Sequence, residues 1–566
     1  MPIVEQKKSY RYILILAFIL VLFVVLRLPF INKEYAPEET LWVRGGTSVV
    51  ATGFPWIYWG EQTSSRFFIT GKGPMIDWLL FVPYKIFGPS EAASRSIPFI
   101  FAFGQIILLY FLGRQIFGRG QGEKIGLLAA FLVTINPFAV QNAIQLDLDG
   151  GIVGFFILLA VFFAWPLATK DERPGTWSVA ALSLTSAAVF LVRFDTPLMV
   201  FFSICLYALI FGNWKRALRF VKLFFFSFIG AVGFLATYDG AFGELKSSIA
   251  PYIAPLSALL GVGRQNTSIS RIADAIPNIH SGVLTPLINF IFPRAAFAVS
   301  SFLWITAPLF VLVIFVAGMI VWDKKFKDAR LAYFLLPAVI IFLAFTAVAP
   351  AFNYPRYIQS ALLLGTLAVS AYVVGKLDNL DIRNVKKLCF VFAAALVATS
   401  VLFARNPFSK MLFDDRIRTN PTIAGVGFLA CLAAAIALFF LARKEKYITA
   451  ALLLLLAIYV GFSALIVSRD FQKPYSLSAY YGNYGFKAAG EFVKNIAGPN
   501  DVIAAVDPVG YYYGGKYYDA TAYLGGGIPG VKPTIVAVYD VPAHRFDELT
   551  AGKKLIATFG TVEVYR

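Results

Sequence analysis

Apolar residues run along this chain in long blocks, broken at intervals by short clusters of lysine and arginine. Thirteen blocks, 12–30, 95–113, 125–143, 149–168, 177–193, 196–212, 220–238, 296–322, 331–350, 357–375, 387–404, 422–442 and 447–468, read as membrane spans. A helix needs about 20 mainly apolar residues to cross the hydrocarbon. After about residue 469 the blocks stop. Residues 485–497 then have helical periodicity, and VIAAV (502–506) and TIVAVY (534–539) read as strands. AHRFDELTAG reads as a short helix with Gly552 past its end, and LIATF and TVEVY, split by Gly560, as a terminal hairpin. The pattern predicts an α-helical membrane domain over 1–468 and an α/β domain over 469–566. YYYGGKYYDATAYLGGG fits either a flexible loop or a surface on which sugars stack.

Composition supports the bilayer as solvent. The 566 residues are 58% hydrophobic and 14% charged, whereas soluble domains run near about 25% charged. One water-soluble core cannot hide that much apolar surface. The formal net charge is +18, but the basic residues sit between apolar blocks, which marks cytoplasmic loops and not a nucleic-acid footprint. The basic loops hold Lys7, Lys8 and Arg11; Arg114, Arg119 and Lys124; Lys170 and Arg173; Lys215, Arg216, Arg219 and Lys222; Lys324, Lys325, Lys327 and Arg330; Lys376, Arg383, Lys386 and Lys387; and Arg443, Lys444 and Lys446. They predict a multi-pass cell-membrane protein with a cytoplasmic N-terminus and, by the odd span count, an extracytoplasmic C-terminal domain. The loop 405–418 is basic too, yet falls outside on this count. Cys205, Cys389 and Cys431 all lie in apolar blocks, which implies neither a disulfide framework nor a zinc site. His280 and His544 are too far apart for a histidine metal cluster.

The extracytoplasmic segments carry the candidate chemistry. In the first loop, 31–94, Glu38 and Glu39 follow Pro37. They suit a helix start, where carboxylates favour the positive end of the dipole, and equally a base at the membrane surface. Lys72 lies between glycines in TGKGPMIDW, which reads as an ordinary turn or as a contact to phosphate. Asp147 and Asp149, in QLDLDGG, end a span on the same face. They are either a solvated loop or an oxygen-ligand pair for a divalent cation. Arg193 and Asp195 read as a structural ion pair. Arg356, in FNYPRYIQS, either snorkels to the interface or binds phosphate, with Tyr354 and Tyr357 as interfacial anchors.

Together these segments resemble the GT-C fold of polyprenyl-phosphate-sugar-dependent glycosyltransferases, in particular the bacterial branch of the protein O-mannosyltransferases that includes the lipid A aminoarabinose transferases. The likeness rests on PEETLW, TGKGPMIDWL, KIFGPSEAASRSIP with Arg95 before the second span, QLDLDGG and PRYIQS, in that order. The chain departs from that pattern with Glu38 for the usual aspartate, Gly73-Pro74 for Pro-Pro and Gly71 for an acid. The resemblance implies an inverting transfer of a sugar from a polyprenyl-phosphate donor to a hydroxyl acceptor on protein, lipid or glycan. Glu38, helped by Glu39, would take the acceptor proton. Lys72 and Arg356 would neutralise the lipid phosphate. Asp147 and Asp149 would orient the acceptor or a divalent metal ion, with Arg95 and Tyr357 also in the binding site. A transporter or flippase of lipid-linked sugars is the alternative, but it predicts an internal repeat that the sequence lacks. An oligosaccharyltransferase carries a Trp-Trp-Asp motif in its outer domain, and residues 469–566 contain no tryptophan.

Overall fold

The structure is a computed structural model that describes residues 3–36, 39–59, 63–66, 74–169, 175–193, 195–240, 309–322, 328–348, 359–378, 445–469, 484–520, 532–539 and 546–566. Fourteen helices precede the tail among these residues. α1 (Ile3–Arg27) enters the first loop, which holds α2 (Glu39–Thr52), a short antiparallel pair β1 (Trp56–Trp59) and β2 (Thr63–Arg66), and α3 (Met75–Phe87). Then come α4 (Glu91–Phe117), α5 (Gln121–Ile135), α6 (Pro137–Ile144), α7 (Val153–Thr169), α8 (Thr176–Val192), α9 (Asp195–Phe211) and α10 (Trp214–Gly240). α11 (Leu309–Trp322), α12 (Ala329–Val348), α13 (Gln359–Leu377) and α14 (Glu445–Arg469) follow.

Five described helices are long and apolar enough to cross a membrane, spanning Tyr10–Phe30, Glu91–Phe117, Gly150–Thr169, Trp214–Tyr238 and Gln359–Leu377. On α1 and α10, Leu14, Phe18, Val21, Phe225 and Phe226 remain exposed, as lipid-facing side chains do where no water must be excluded. The chain is therefore a multi-pass membrane protein. The expected spans 387–404 and 422–442 lie outside the described residues. The expected straight span 125–143 is instead a bent pair, α5 and α6, meeting at 73°. Pro137 brings no backbone N–H, and the residue before a proline is pushed out of helical geometry. Asn136 is accordingly extended (φ −65°, ψ 123°), and its side chain accepts from the Ala139 N–H at 3.0 Å to start the next helix.

The tail forms its own small α/β unit: α15 (Phe486–Ile496), β3 (Ile503–Ala505), α16 (Asp507–Tyr513), β4 (Tyr518–Asp519), β5 (Ile535–Tyr539), α17 (Asp547–Thr550), β6 (Leu555–Phe559) and β7 (Val562–Tyr565). The sheet order is β4-β3-β5-β7-β6, with β3 parallel to both β4 and β5, and β7 antiparallel to β5 and β6. Ala489 and Val493 of α15 pack with Ile503, Val536, Val562 and Val564 in a core separate from that of the membrane domain. The start of the tyrosine-rich stretch, expected as a loop, is helix α16 followed by β4, because Pro508 at the first turn and Gly514 in the left-handed region punctuate a helix.

Candidate active site where the tail meets the membrane domain

The acid pair reads in two ways from sequence, and in the structure Glu39 is the first residue of α2. Its backbone N–H donates to the Ala36 carbonyl (3.0 Å) while its Oε2 accepts from the Ala36 N–H (2.7 Å). This reciprocal pair closes the first turn of α2 as a capping box does. The carboxylate is wholly buried. Oε1 also accepts from the Leu146 N–H at 2.8 Å, and Arg95 donates to both oxygens, from Nε at 3.0 Å and from Nη2 at 2.5 Å. Arg95, also buried, turns its remaining donors to the carbonyls of Phe30, Ile31, Lys33 and Glu34, so the chain leaving α1 curls around the guanidinium. Buried charge of this kind survives only when every donor and acceptor is engaged. Glu39 and Arg95, expected to help the base and to contact substrate, are turned inward on each other.

Beneath this pair lies a line of hydroxyls. Tyr35 and Tyr84 each share a 2.7 Å hydrogen bond with Ser94 Oγ. Burial pushes both phenols far above their ordinary range, so they remain neutral donors.

The second acidic segment is anchored to the first through the Leu146–Glu39 bond. Asp147, next in the chain, is buried. The chain then makes a π-turn over Leu148–Ile152 that packs on α4. Gln105 Nε2 donates to the carbonyls of Gly150 (3.0 Å) and Gly151 (2.6 Å). A Cβ at Gly151 would lie 2.5 Å from the Pro98 carbonyl oxygen, so only glycine allows this approach. Asn142 Nδ2 donates to Gln359 Oε1, which ties the same segment to the first residue of α13. Thus Glu39 of PEETLW, Arg95 of SRS, the stretch 142–146 and Gln359 of PRYIQS, far apart in sequence, are linked at one end of the membrane domain.

Glu39, Arg95 and Asp147 are therefore brought together. Asp149 stands in the π-turn, and its side chain lies outside the described residues, as do Glu38, Lys72, Arg356 and Tyr357. Glu38 nevertheless adjoins Glu39, and Arg356 lies three residues before Gln359. Among the described residues no group of three or more His, Cys, Asp or Glu side chains is placed to hold a metal ion.

Asp77 is a carboxylate that sequence reasoning passed over. It sits in the first turn of α3, wholly buried, with neither oxygen hydrogen-bonded among the described residues. Desolvation raises its pKa well above the carboxylate range. It abuts Gly45 of α2, where a Cβ would fall 2.2 Å from Oδ1. No local spacing signals it, because α2 and α3 meet only in the fold. The neighbouring Trp78 donates to Tyr238 OH at 3.2 Å and so pins α3 to α10.

Comparison with known proteins supplies the context. Residues 71–238 match the family model described as dolichyl-phosphate-mannose-protein mannosyltransferase. An uncharacterized protein of Aquifex aeolicus is 27% identical over 178 residues, which is 30% of this chain and a third (33%) of that protein's length. The crystal structure of ArnT from Cupriavidus metallidurans in the apo state is 15% identical, covering 99% of this chain and 98% of that one with a TM-score of 0.54. The same protein bound to undecaprenyl phosphate matches at 15% identity and TM-score 0.54 over 98% of this chain and 97% of that one. The oligosaccharyltransferase of Archaeoglobus fulgidus, in its apo form, is 13% identical with a TM-score of 0.53, covering 94% of this chain and 70% of that one. The resemblance drawn from the sequence is borne out: the chain has the GT-C fold of these glycosyltransferases, and its residues 71–238 match the dolichyl-phosphate-mannose-protein mannosyltransferase family model.

Proposed function

We propose that this chain is a membrane glycosyltransferase that moves a sugar from a polyprenyl-phosphate donor to a hydroxyl acceptor on the extracytoplasmic face. The carrying observation is the linkage of Glu39 to Arg95 and Leu146, and of Asn142 to Gln359, in a fold whose relative binds undecaprenyl phosphate. The alternating basic loops support the orientation, with the N-terminus cytoplasmic and the tail outside.

The reaction is a direct displacement. The acceptor oxygen attacks the anomeric carbon, the bond from that carbon to the phosphate oxygen breaks, and polyprenyl phosphate leaves with the electron pair. Glu38 takes the acceptor proton. Glu39 accepts four hydrogen bonds, two of them from a guanidinium, which favours an architectural part for it over that of the base. It holds the first turn of α2 and thereby the residue before it. Lys72 and Arg356 offset the charge that grows on the departing phosphate. Asp147 and Asp149 orient the acceptor.

The test uses the purified chain in lipid nanodiscs with a panel of polyprenyl-phosphate sugars and hydroxyl acceptors. Release of free polyprenyl phosphate with the sugar joined to the acceptor is the expected result. Movement of lipid-linked sugar across the bilayer without transfer would favour a flippase instead.

A further inference from the structure

The segment that carries the acid pair is gripped from two sides, and one grip belongs to the tail. Ahead of α2, Glu34 accepts from the backbone N–H groups of Gly485 (2.8 Å) and Lys487 (3.0 Å), capping α15 across a separation of about 450 residues. The Tyr35 N–H donates to Tyr512 OH at 2.7 Å, and the Tyr35 ring lies against Tyr511 and Tyr512 with centroids 5.5 and 6.0 Å away. Tyr512 in turn donates to Glu91 (3.2 Å), which also pairs with Lys487 (2.9 Å).

On α2 itself the grip centres on Asp507. Thr40 Oγ1 donates to its Oδ2 at 2.6 Å, and Tyr517 OH donates to its Oδ1 at 2.6 Å. Arg44 Nη2 lies 3.1 Å from the same Oδ1 and donates to Tyr517 OH at 2.7 Å. Thr40 and Arg44 are four residues apart and therefore share one face of α2. Glu39, one residue away, is held from the membrane domain by Arg95 and Leu146. The first turn of α2 thus cannot roll or slide while both holds persist.

Resting on the functional reading above, we propose that Asp507 is a positioning residue for transfer. Acting through Thr40 and Arg44, it fixes the rotation of α2 and hence where Glu38 meets the acceptor. Asp507 acts through α2 and not on the reacting atoms; its part is to keep the base within reach, where a displacement of about 1 Å can cost about a hundredfold in rate.

The experiment compares the full chain with Asp507→Asn, Thr40→Val and Thr40→Ser in nanodiscs. Three quantities are read: amide hydrogen exchange across residues 40–46, single-turnover transfer, and direct binding of undecaprenyl phosphate. A hydrogen bond to a charged group is worth about one to two decades in an equilibrium. Asp507→Asn should therefore speed exchange in α2 on the order of tenfold and slow transfer by about ten- to a hundredfold, leaving lipid phosphate affinity within about twofold. Thr40→Val should move the same two quantities in the same direction, and Thr40→Ser, which keeps the hydroxyl, should restore both. Unchanged exchange in Asp507→Asn overturns the grip whatever the activity. Loss of undecaprenyl phosphate affinity in step with transfer overturns it too, because the tail would then belong to a lipid phosphate subsite. A wild-type chain that transfers no sugar defeats the functional reading, a result the exchange measurement tells apart from failure of the grip.

Discussion

The two ends of the membrane domain handle charge in opposite ways. At the tail end, the first turns of α4 carry Arg95, and the ion pair it makes is dry: Glu39 and Arg95 are wholly buried and held by a ring of backbone donors and acceptors. At the far end, where α4 finishes and α5 begins, the charges are wet. Lys124 pairs with Asp378 at 2.7 Å with both side chains near half exposure (46% and 39%), while the partly exposed Arg114 lies 3.7 Å from Glu123, the one buried carboxylate of this group. Arg330 pairs with Asp328 and covers the Phe117 ring. Dry pairs fix geometry because breaking them strands a charge, whereas wet pairs trade water for a partner at little gain. The contrast separates an end where geometry is fixed by a buried pair from an end where most charges stay in water.

The largest effect should come from Arg95. Arg95→Leu leaves the Glu39 carboxylate buried beside an apolar chain, and loss of one partner of a buried pair costs about 3–5 kcal/mol. Thermal unfolding in nanodiscs should show a collapse in stability. Arg95→Leu with Glu39→Leu should recover a good part of it, since no stranded charge remains. If the single variant is as stable as wild type, the dry pair does not hold α2.

Asp77 tests the same end through pH. Its folded pKa is raised, so the folded chain keeps a proton that the unfolded chain loses above about pH 4. Stability from that difference is present at low pH and falls as pH rises toward the folded value. Asp77→Asn keeps the shape and cannot ionise. Its melting temperature should exceed that of wild type by a margin that widens from acid to neutral pH. A constant margin would show that Asp77 does not titrate with unfolding.

Lys124→Ala at the wet end sets the lower bound. An exposed pair is worth about 0–1 kcal/mol, so stability and transfer should both stay near wild type. A loss comparable to that of Arg95→Leu would erase the distinction between the two ends.

Much of this was legible in the sequence, for physical reasons that differ by element. The apolar blocks of α4, α7, α10 and α13 announce themselves by composition, and β3, β5, β6 and β7 fall in the apolar runs VIAAV, TIVAVY, LIATF and TVEVY. The break at Asn136-Pro137 was readable from proline alone, yet the apolar count of the block outweighed it. The acid site was legible as motifs but not as roles. That Glu39 pairs with Arg95, 56 residues on, and with the Leu146 amide, 107 residues on, is decided by tertiary packing. Asp77, Gln359 and Asp507 carry no local spacing that marks them. The tyrosines of the tail read as loop or sugar platform, and among the described residues Tyr512 and Tyr517 join the tail to α2 and the chain ahead of it.

The central claim is a division of labour between two adjacent carboxylates, Glu38 for chemistry and Glu39 for architecture. Glu38→Gln and Glu39→Gln, each measured for single-turnover transfer and for thermal stability in the same nanodiscs, test it directly. A general base contributes about 10²–10⁴-fold, so Glu38→Gln should lose that factor in rate and melt like wild type. Glu39→Gln should melt early by about 3–5 kcal/mol, because the Arg95 charge loses its buried partner, and its folded fraction should lose less rate than Glu38→Gln does, through a looser first turn of α2 alone. Normal transfer by Glu38→Gln, with a stable but inactive Glu39→Gln, would contradict the account.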